Sequence, residues 1–266
     1  MEQNTVGGST AALPPAQFRA HREGRAHRLT PGERDPDYTP RAGAWHSVTM
    51  RIDHVMYAAE SDGLQATADR LAQQLGVEAL DGGVHPRFGT RNVILPLTEH
   101  RFLEVVEALE HPSVDKMPYG QAVKARSANG GGWIGWVVEL DDMSAPVEKL
   151  GRGTTEGRRH RPDGAEITWQ QIGVSDLVVD PQLPYFIKWD DDAQHPSSDG
   201  SSDVSLKGIT LAGAPERVRE WLGLSGQPGV DREEWEPSVD FSFVAPHGTP
   251  SVLSVAFTTP RGDVTI

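Results

Sequence analysis

The sequence contains no cysteine among its 266 residues. This absence excludes a disulfide framework, a thiolate nucleophile and a thiolate metal site. Any metal must therefore be bound by His, Asp, Glu or backbone oxygen atoms. The chain also lacks an apolar run near the ~18 residues of a membrane span and an apolar signal-peptide core at its N-terminus. We therefore expect a bacterial-type cytoplasmic protein with no membrane partner.

Basic side chains are scarce relative to acidic ones. The chain has 25 Lys and Arg against 38 Asp and Glu, which gives a formal net charge of -13. A nucleic-acid-binding protein needs a basic face to displace counterions from phosphates. The charge balance therefore argues against nucleic acid as a partner.

The N-terminal residues 1–49 differ from the remainder of the chain in composition. They are rich in Gly, Pro, Arg, His and Ala and contain no periodic apolar segment. Such a composition buries too little apolar surface to offset chain entropy, so it predicts a disordered extension. The alternative is a nucleic-acid or targeting arm, because arginine recurs at every third position from Arg19 to Arg28. We also expect Met50, where the first strand pattern starts, to be the natural start of translation.

The remaining chain repeats one order of elements three times. Each copy begins with a strand pattern and continues with a short amphipathic helix that ends at glycine. The strands begin at Arg51, Trp133 and Ser205, and the helices end at Gly76, Gly151 and Gly223. Hairpin patterns follow each helix, most clearly in the first two copies. The repeat predicts an α+β fold built from β-α-β-β-β modules.

The repeat also predicts the domain organisation. A domain of two modules, 50–109 and 133–192, covers residues 50–192. Residues 193–203 are rich in Ser and Asp and are predicted to be a linker. Residues 204–266 are expected to form a degenerate third β-α-β module. This module is either a further part of the fold or an oligomer interface, and in the second case the protein is a homodimer.

Four short segments resemble a known family. They are Asp53-His54-Val55, the Gly-rich run 82–92, the run 102–105 and the run 183–189. Together with the paired modules they resemble the vicinal-oxygen-chelate superfamily of glyoxalases, bleomycin-resistance proteins and dioxygenases, and in particular its glyoxalase-like subgroup. The resemblance implies that the paired modules form one cupped sheet around a pocket for a small molecule. It does not define the reaction, because the superfamily hosts several chemistries.

His54 and Glu104 are the first candidates for a metal pair. Strand side chains alternate between faces, so we expect Ile52, His54 and Met56 to share one face of the first strand. The resemblance makes the first and fourth strands neighbours, which places His54 beside Glu104. This pair suits a divalent cation, with Zn, Mn, Fe and Ni as candidates. The alternatives are a hydrogen-bonded core histidine and a salt-bridged Glu104, because an unpaired buried carboxylate is costly.

His85 lies in a Gly-rich segment, 82–90, that is predicted to be a loop between the second and third strands. There it can serve as a third metal ligand, a general base or a substrate contact. The alternative is a hairpin in which the glycines and Pro86 serve only the turn. Asn92 offers a polar substrate contact at the mouth of the pocket. We predict His85 and Glu104 as the catalytic residues.

The second module departs from the superfamily pattern. Alignment of the two modules places Trp136 at the position of His54. The same alignment places Lys188 at the position of Glu104. Neither side chain is a normal metal ligand, so the four-ligand set that the resemblance implies is incomplete. We predict that Trp136 and Phe186 form stacking surfaces in the pocket, and that Lys188 faces it to pair with Glu104 or bind an anionic substrate group.

Two functions are compatible with these features. The first is a glyoxalase-like enzyme of the lyase, isomerase or dioxygenase type, in which a divalent metal polarises an oxygen of a small-molecule substrate. The second is a metal-free protein of the same fold that binds and sequesters a small molecule. The His54–Glu104 pair favours the first function, and the incomplete ligand set favours the second.

Overall fold

The computed structural model describes residues 48–191, 194–224, 236 and 238–266. The predicted N-terminal extension lies outside these residues up to position 47. Within the described ranges, no helix combines the length and the apolar character that crossing a membrane requires.

The first module contains four strands and one helix. Their bounds are β1 Met50–Ala58, α1 Leu64–Leu75, β2 Leu80–His85, β3 Thr90–Leu97 and β4 Arg101–Ala108. β1 pairs in parallel with β4, and β4, β3 and β2 follow as antiparallel neighbours. α1 forms because Leu64, Ala68, Leu71 and Leu75 repeat at helical spacing on one buried face. Gly76 ends the helix in the left-handed conformation, with φ 78°.

The second module repeats this order after a connecting helix. The bounds are α2 Pro118–Ala128, β5 Gly132–Leu140, α3 Ser144–Leu150, β6 Thr155–His160, β7 Glu166–Ile172, α4 Val174–Val179 and β8 Tyr185–Trp189. β5 pairs in parallel with β8, and β8, β7 and β6 are antiparallel neighbours. The modules join where β1 pairs antiparallel with β5 and where β2 meets β6 at Val84 and His160. The eight strands thereby close into a barrel, which confirms the predicted α+β class.

The barrel separates two apolar clusters. The inner cluster includes Met56, Phe102, Trp169 and Tyr185, together with side chains from α2 and α4. The outer cluster contains the buried face of α1, the outward side chains of β1 and β5, and the C-terminal sheet. Because successive strand residues alternate between these clusters, the register of each strand decides which side chains reach the interior.

Two bulges set that register where the modules meet. Ile52 pairs with Val138 and His54 pairs with Val137, so Asp53 is an extra residue in β1. Ile134 is the corresponding extra residue in β5. Ile52 consequently packs in the outer cluster, whereas His54 and Met56 face the interior. The prediction that Ile52 shares their face is therefore wrong.

The C-terminal residues form a separate sheet that packs on the outside of the barrel. It contains β9 Ser205–Ala212, β10 Asp240–Val244, β11 Ser251–Thr259 and β12 Gly262–Thr265, with α5 Pro215–Trp221 between β9 and β10. The strand order is β10-β9-β11-β12. β9, which comes first in the chain, therefore lies inside the sheet rather than at its edge. The pairing therefore differs from that of the barrel modules.

The Gly-rich segment is largely a strand rather than the predicted loop. β2 continues to His85, and the turn occupies residues 86–89. Gly83 makes this path possible because it has a φ of 105° and lies against the carbonyl of His160. A side chain at Gly83 would overlap that carbonyl, so glycine permits the close approach of β2 and β6 that closes the barrel.

Candidate functional site

A small cavity lies inside the barrel. Its volume is about 30 Å³, measured as the space that the centre of a water molecule can reach. Its lining comprises His54, His85, Phe88, Asn92, Phe102, Glu104, Tyr119, Arg159, Trp169, Gln171, Tyr185, Ile187, Trp189 and Pro196. The walls are mainly aromatic, with a few charged and polar groups, which is the usual composition of a small-molecule site.

His54 is held in one orientation by its neighbours. Its Nδ1 lies 2.5 Å from Oδ2 of Asp53, and its ring stacks on Phe102 with centroids 4.4 Å apart. An ionised carboxylate accepts hydrogen bonds, so Nδ1 carries the proton and donates a hydrogen bond to Asp53. Nε2 is then the nitrogen that faces the cavity.

Asp53 is fully buried and accepts hydrogen bonds from several donors. Its Oδ1 lies 2.8 Å from Nε2 of His195 and accepts from Nε1 of Trp189 at 3.1 Å. Burial by itself raises the pKa of Asp53, but the charges and hydrogen bonds of His195 and His54 hold the pKa well below its usual range. Asp53 is therefore ionised and fixes the His54 tautomer.

His195 comes from the segment that the sequence predicted to be a linker. Residues Pro196–Asp199 form one turn of 3-10 helix, His195 is 0% exposed, and Pro196 lines the cavity. The described part of this segment, residues 194–203, thus supplies a buried side chain that supports the site. The Ser- and Asp-rich composition of the segment predicts a solvated linker and does not indicate a buried histidine.

Glu104 is buried and receives two hydrogen bonds. Nδ2 of Asn92 donates to Oε1 at 2.7 Å, and the hydroxyl of Tyr119 donates to Oε2 at 2.9 Å. Burial and the charge of Glu104 raise the pKa of Tyr119 well above 10, so its hydroxyl stays protonated and continues to donate. The two bonds hold the carboxylate at the wall of the cavity.

The structure brings His54 and Glu104 together as predicted. His54 Nε2 and Glu104 Oε2 are 4.0 Å apart, because β1 and β4 are parallel neighbours and both side chains point inward. His85 does not complete a ligand set with them. Within the described ranges, one group of three potential ligands has its atoms within 4.8 Å of one another, and it consists of Asp53, Glu139 and His195.

The group of Asp53, Glu139 and His195 lies beside a basic side chain. Arg51 pairs with Glu139, and its Nη2 lies 3.5 Å from Asp53 Oδ1. The guanidinium therefore offsets one of the two negative charges of this group.

His85 shares the cavity as the last residue of β2. Its Nδ1 lies 3.0 Å from the hydroxyl of Thr90, and its ring meets Trp169 edge to face at 5.8 Å between centroids. Burial lowers the pKa of His85 to about 4, although the charge of Glu104 opposes this shift. His85 is therefore neutral at physiological pH.

Arg159 is a site residue that the sequence did not identify. The run 158–161 has the composition of a solvated basic loop, yet Arg159 is 2% exposed and lines the cavity. The signal available was its place in the alternation of β6, where exposed and buried residues follow one another from Thr155 to His160.

Three predicted pocket residues face away from the cavity. Trp136 packs on Phe241 at 5.2 Å between ring centroids, in the outer cluster. Phe186 stacks on Trp221 at 5.9 Å in the same cluster. Lys188 is exposed, and its Nζ donates to the carbonyl of Asp141 at 2.6 Å.

The prediction that these three residues line the pocket is therefore wrong. The observed pairing places β5 and β8 each one residue away from the simple alignment of the two modules. Val137 then stands opposite His54, and Tyr185 pairs with Val137 as Phe102 pairs with His54. Ile187 consequently occupies the position that corresponds to Glu104.

Comparison with known proteins gives a family match. A family model described as a glyoxalase-like domain matches residues 52–224, which is more than half of the chain. None of the curated proteins compared with the chain matches it. Among solved structures, a hypothetical protein from Staphylococcus aureus is similar at a TM-score of 0.52 and 14% identity, covering 81% of this chain and 84% of that chain. At this identity the similarity shows the fold alone.

Two methylmalonyl-CoA epimerases are also similar at a lower level. The enzyme from Streptomyces coelicolor has a TM-score of 0.37 and 21% identity, and the match covers 53% of this chain and 98% of that chain. The enzyme from Mycobacterium tuberculosis has a TM-score of 0.35 and 14% identity, with 52% and 85% of the two chains covered.

Proposed function

The chain belongs to the family of glyoxalase-like domains in the vicinal-oxygen-chelate superfamily, and from this premise we propose that it is an enzyme that transforms a small molecule between His54 and Glu104. The observation that carries the proposal is the 4.0 Å separation of His54 Nε2 and Glu104 Oε2 at the wall of one buried cavity. Two groups able to exchange protons or bind a cation are expensive to bury side by side, and reaction chemistry accounts for them.

Asp53 prepares His54 for this role. Because Asp53 holds the proton on Nδ1, the Nε2 lone pair is directed at the cavity. A carboxylate behind an imidazole is the arrangement that orients histidines as general bases and as metal ligands. Asp53 is thus a positioning residue, and it leaves the Nε2 lone pair of His54 available to bind a cation.

The donor set fits a divalent cation in part. His54 Nε2 and Glu104 Oε2 are 4.0 Å apart, so both can bind one cation after a small approach of the two side chains, because bonds of about 2.0–2.2 Å are not collinear in a tetrahedral site. His54 and Glu104 would therefore hold the cation, with Zn, Mn, Fe and Ni as candidates. When bound, the cation supplies polarisation of a substrate oxygen. His85, neutral in the same cavity, is the side chain we propose for proton transfer.

Sequestration of a small molecule without a metal is the second candidate. One observation favours it, which is that the positions equivalent to His54 and Glu104 in the second module hold Val137 and Ile187. The aromatic walls of the cavity, which include Trp169 and Tyr185, suit binding without chemistry equally well.

Isothermal titration of Zn²⁺, Mn²⁺ and Fe²⁺ tests the leading proposal. Wild-type protein, purified without chelator or affinity-tag nickel, is compared with His54→Ala and Glu104→Gln. We expect each variant to lose affinity by more than the 10–100-fold that outer-shell changes cost. His160→Ala is the matched control, because His160 is exposed and pairs with Glu166. Unchanged affinity in both site variants would exclude the pair as ligands and favour sequestration.

A further inference from the structure

The basic run on β6 divides into two environments. The run 158–161 comprises the end of β6 and Arg161 after it, and three of its four side chains pair with acidic residues: Arg158 with Glu156, His160 with Glu166, and Arg161 with Asp163 and Asp199. Arg159 points into the barrel, and its side chain is 3% exposed. The strand therefore places one guanidinium in the cavity that holds His54 and Glu104.

The guanidinium is incompletely bonded there. Its Nε and Nη2 find no hydrogen-bond partner within the described part of the chain. The carboxylate paired with it, Asp199, has Oδ2 at 3.7 Å from Nη2, which is beyond hydrogen-bond length. Burial lowers the pKa of Arg159 to about 10, so it remains a cation at neutral pH. A buried cation whose hydrogen-bond donors are unsatisfied is rare, and a bound anion would explain it.

The two Arg159 nitrogens without a hydrogen-bond partner, Nε and Nη2, define the chemistry of the ligand that could bind there. The N–H bonds on Nε and Nη2 lie on one edge of the guanidinium and are parallel, so they match the two oxygens of a carboxylate. The cavity is small, which favours a planar carboxylate over a bulkier tetrahedral phosphate. Two hydrogen bonds from Asn92 and Tyr119 disperse the charge of Glu104, which reduces its repulsion of a second anion.

We propose that Arg159 binds the carboxylate of the substrate, so that the substrate class is small carboxylic acids. This inference rests on the proposed function for the presence of a substrate in the cavity. A short acid held at the Arg159 guanidinium presents its neighbouring carbon and oxygen atoms to the cavity that contains His54 and Glu104.

Matched acids and amides test the carboxylate directly. Pyruvate, lactate and malonate, with pyruvamide, lactamide and malonamide, are titrated by calorimetry into the full chain. We expect at least one acid to bind ten or more times more tightly than its amide. Arg159→Met should lower the affinity for that acid by roughly ten- to a hundredfold, which is the effect of losing a charge-assisted hydrogen bond. Arg159→Lys should bind with intermediate affinity, and Arg158→Met, on the outer face of the same strand, should bind as the wild type does.

Thermal unfolding without ligand separates binding from structure. A ligand-binding arginine is an unfavourable buried cation in the empty protein, so Arg159→Met should have an equal or higher melting temperature. If the arginine serves a structural pair with Asp199, Arg159→Met and Asp199→Asn should both lower the melting temperature. That result would overturn the inference, as would equal binding of acids and amides or no binding of any acid to the wild type.

The site variants distinguish this inference from the proposed function. His54→Ala and Glu104→Gln retain Arg159, so we expect both to keep the preference for the acid over its amide. A wild-type protein that binds the acid through Arg159 but neither binds a cation nor turns the acid over contradicts the proposed function and leaves the carboxylate site in place.

Discussion

Replacement of Asp53 by Asn should destabilise the protein more than its small change in shape suggests. Asp53 is 0% exposed and accepts from His54, His195 and Trp189. Asn keeps one acceptor oxygen and places an amide donor at the other position. One of the two histidines then meets a donor instead of an acceptor, inside a region that water does not reach.

The magnitude follows from these contacts. A hydrogen bond that involves a charged group contributes about 1.5–3 kcal/mol, and breaking one side of a buried pair costs about 3–5 kcal/mol. We therefore expect Asp53→Asn to lower the free energy of unfolding by about 4 kcal/mol and the melting temperature by roughly 10 °C. Asp62→Asn is the control, because the Asp62 side chain is 49% exposed and its pair with Arg70 is screened by solvent, so this change should leave the melting temperature nearly unchanged.

Urea unfolding at several pH values is the assay. Because the folded pKa of Asp53 is lowered from 3.8, its contribution is complete above that pH and is lost as the pH falls below it. The wild type should therefore lose more stability than Asp53→Asn in this acid range. A variant within about 1 kcal/mol of the wild type at neutral pH would refute an ionised Asp53 as the support of His54.

Three further changes have definite expected outcomes. Burial lowers the pKa of His85 from 6.5 to about 4. His85 therefore does not reduce the stability above pH 6.5, but it reduces the stability as the pH falls toward 4, because the unfolded chain is protonated there and the folded one is not. His85→Gln should therefore remove up to about 3 kcal/mol of the acid-induced loss of stability in urea titrations, and an unchanged pH profile would contradict this. Tyr119→Phe removes a donor to a buried carboxylate and should lower the free energy of unfolding by about 2 kcal/mol; a neutral effect in urea unfolding would mean that water replaces the hydroxyl. Gly157→Ala would overlap the indole of Trp169 and should cost about 1–3 kcal/mol by thermal unfolding, whereas Gly153→Ala, which meets open space, should be near neutral; equal effects would contradict the close packing.

The first module was predictable from the sequence because its signals are local. Alternation in β1 and β4 placed His54 and Glu104 on inward faces, and helical spacing with a terminal glycine defined α1. The paired α+β modules followed from the repeat of this order. These features depend on neighbouring residues, which a single sequence displays.

The second module was misaligned because a bulge leaves no clear local signal. Asp53 and Ile134 each add one residue between paired strands, and one residue reverses the direction of every side chain beyond it. In β8, which pairs with β5 and β7 without a register shift, Lys188 points to solvent and Ile187 takes the inward position. The incomplete ligand set in the second module nevertheless persists, because neither Val137 nor Ile187 is a metal ligand.

Arg159 and His195 were missed for a related reason. Each lies in a segment whose composition is typical of solvated structure, the basic run 158–161 and the Ser- and Asp-rich run 193–203. Their burial depends on closure of the barrel by strands far apart in the chain. Composition describes a segment as a whole, whereas one side chain within it can turn inward.

The tautomer of His54 provides the most direct test of the reactive pair. NMR of the histidine ring nitrogens in the wild-type protein distinguishes a proton on Nδ1 from a proton on Nε2. The proposed arrangement predicts that His54 carries its proton on Nδ1, toward Asp53, and that the Nε2 resonance shifts when Zn²⁺ or a bound carboxylic acid is added. A proton on Nε2, together with a His54 spectrum that neither addition changes, would contradict a reactive centre between His54 and Glu104.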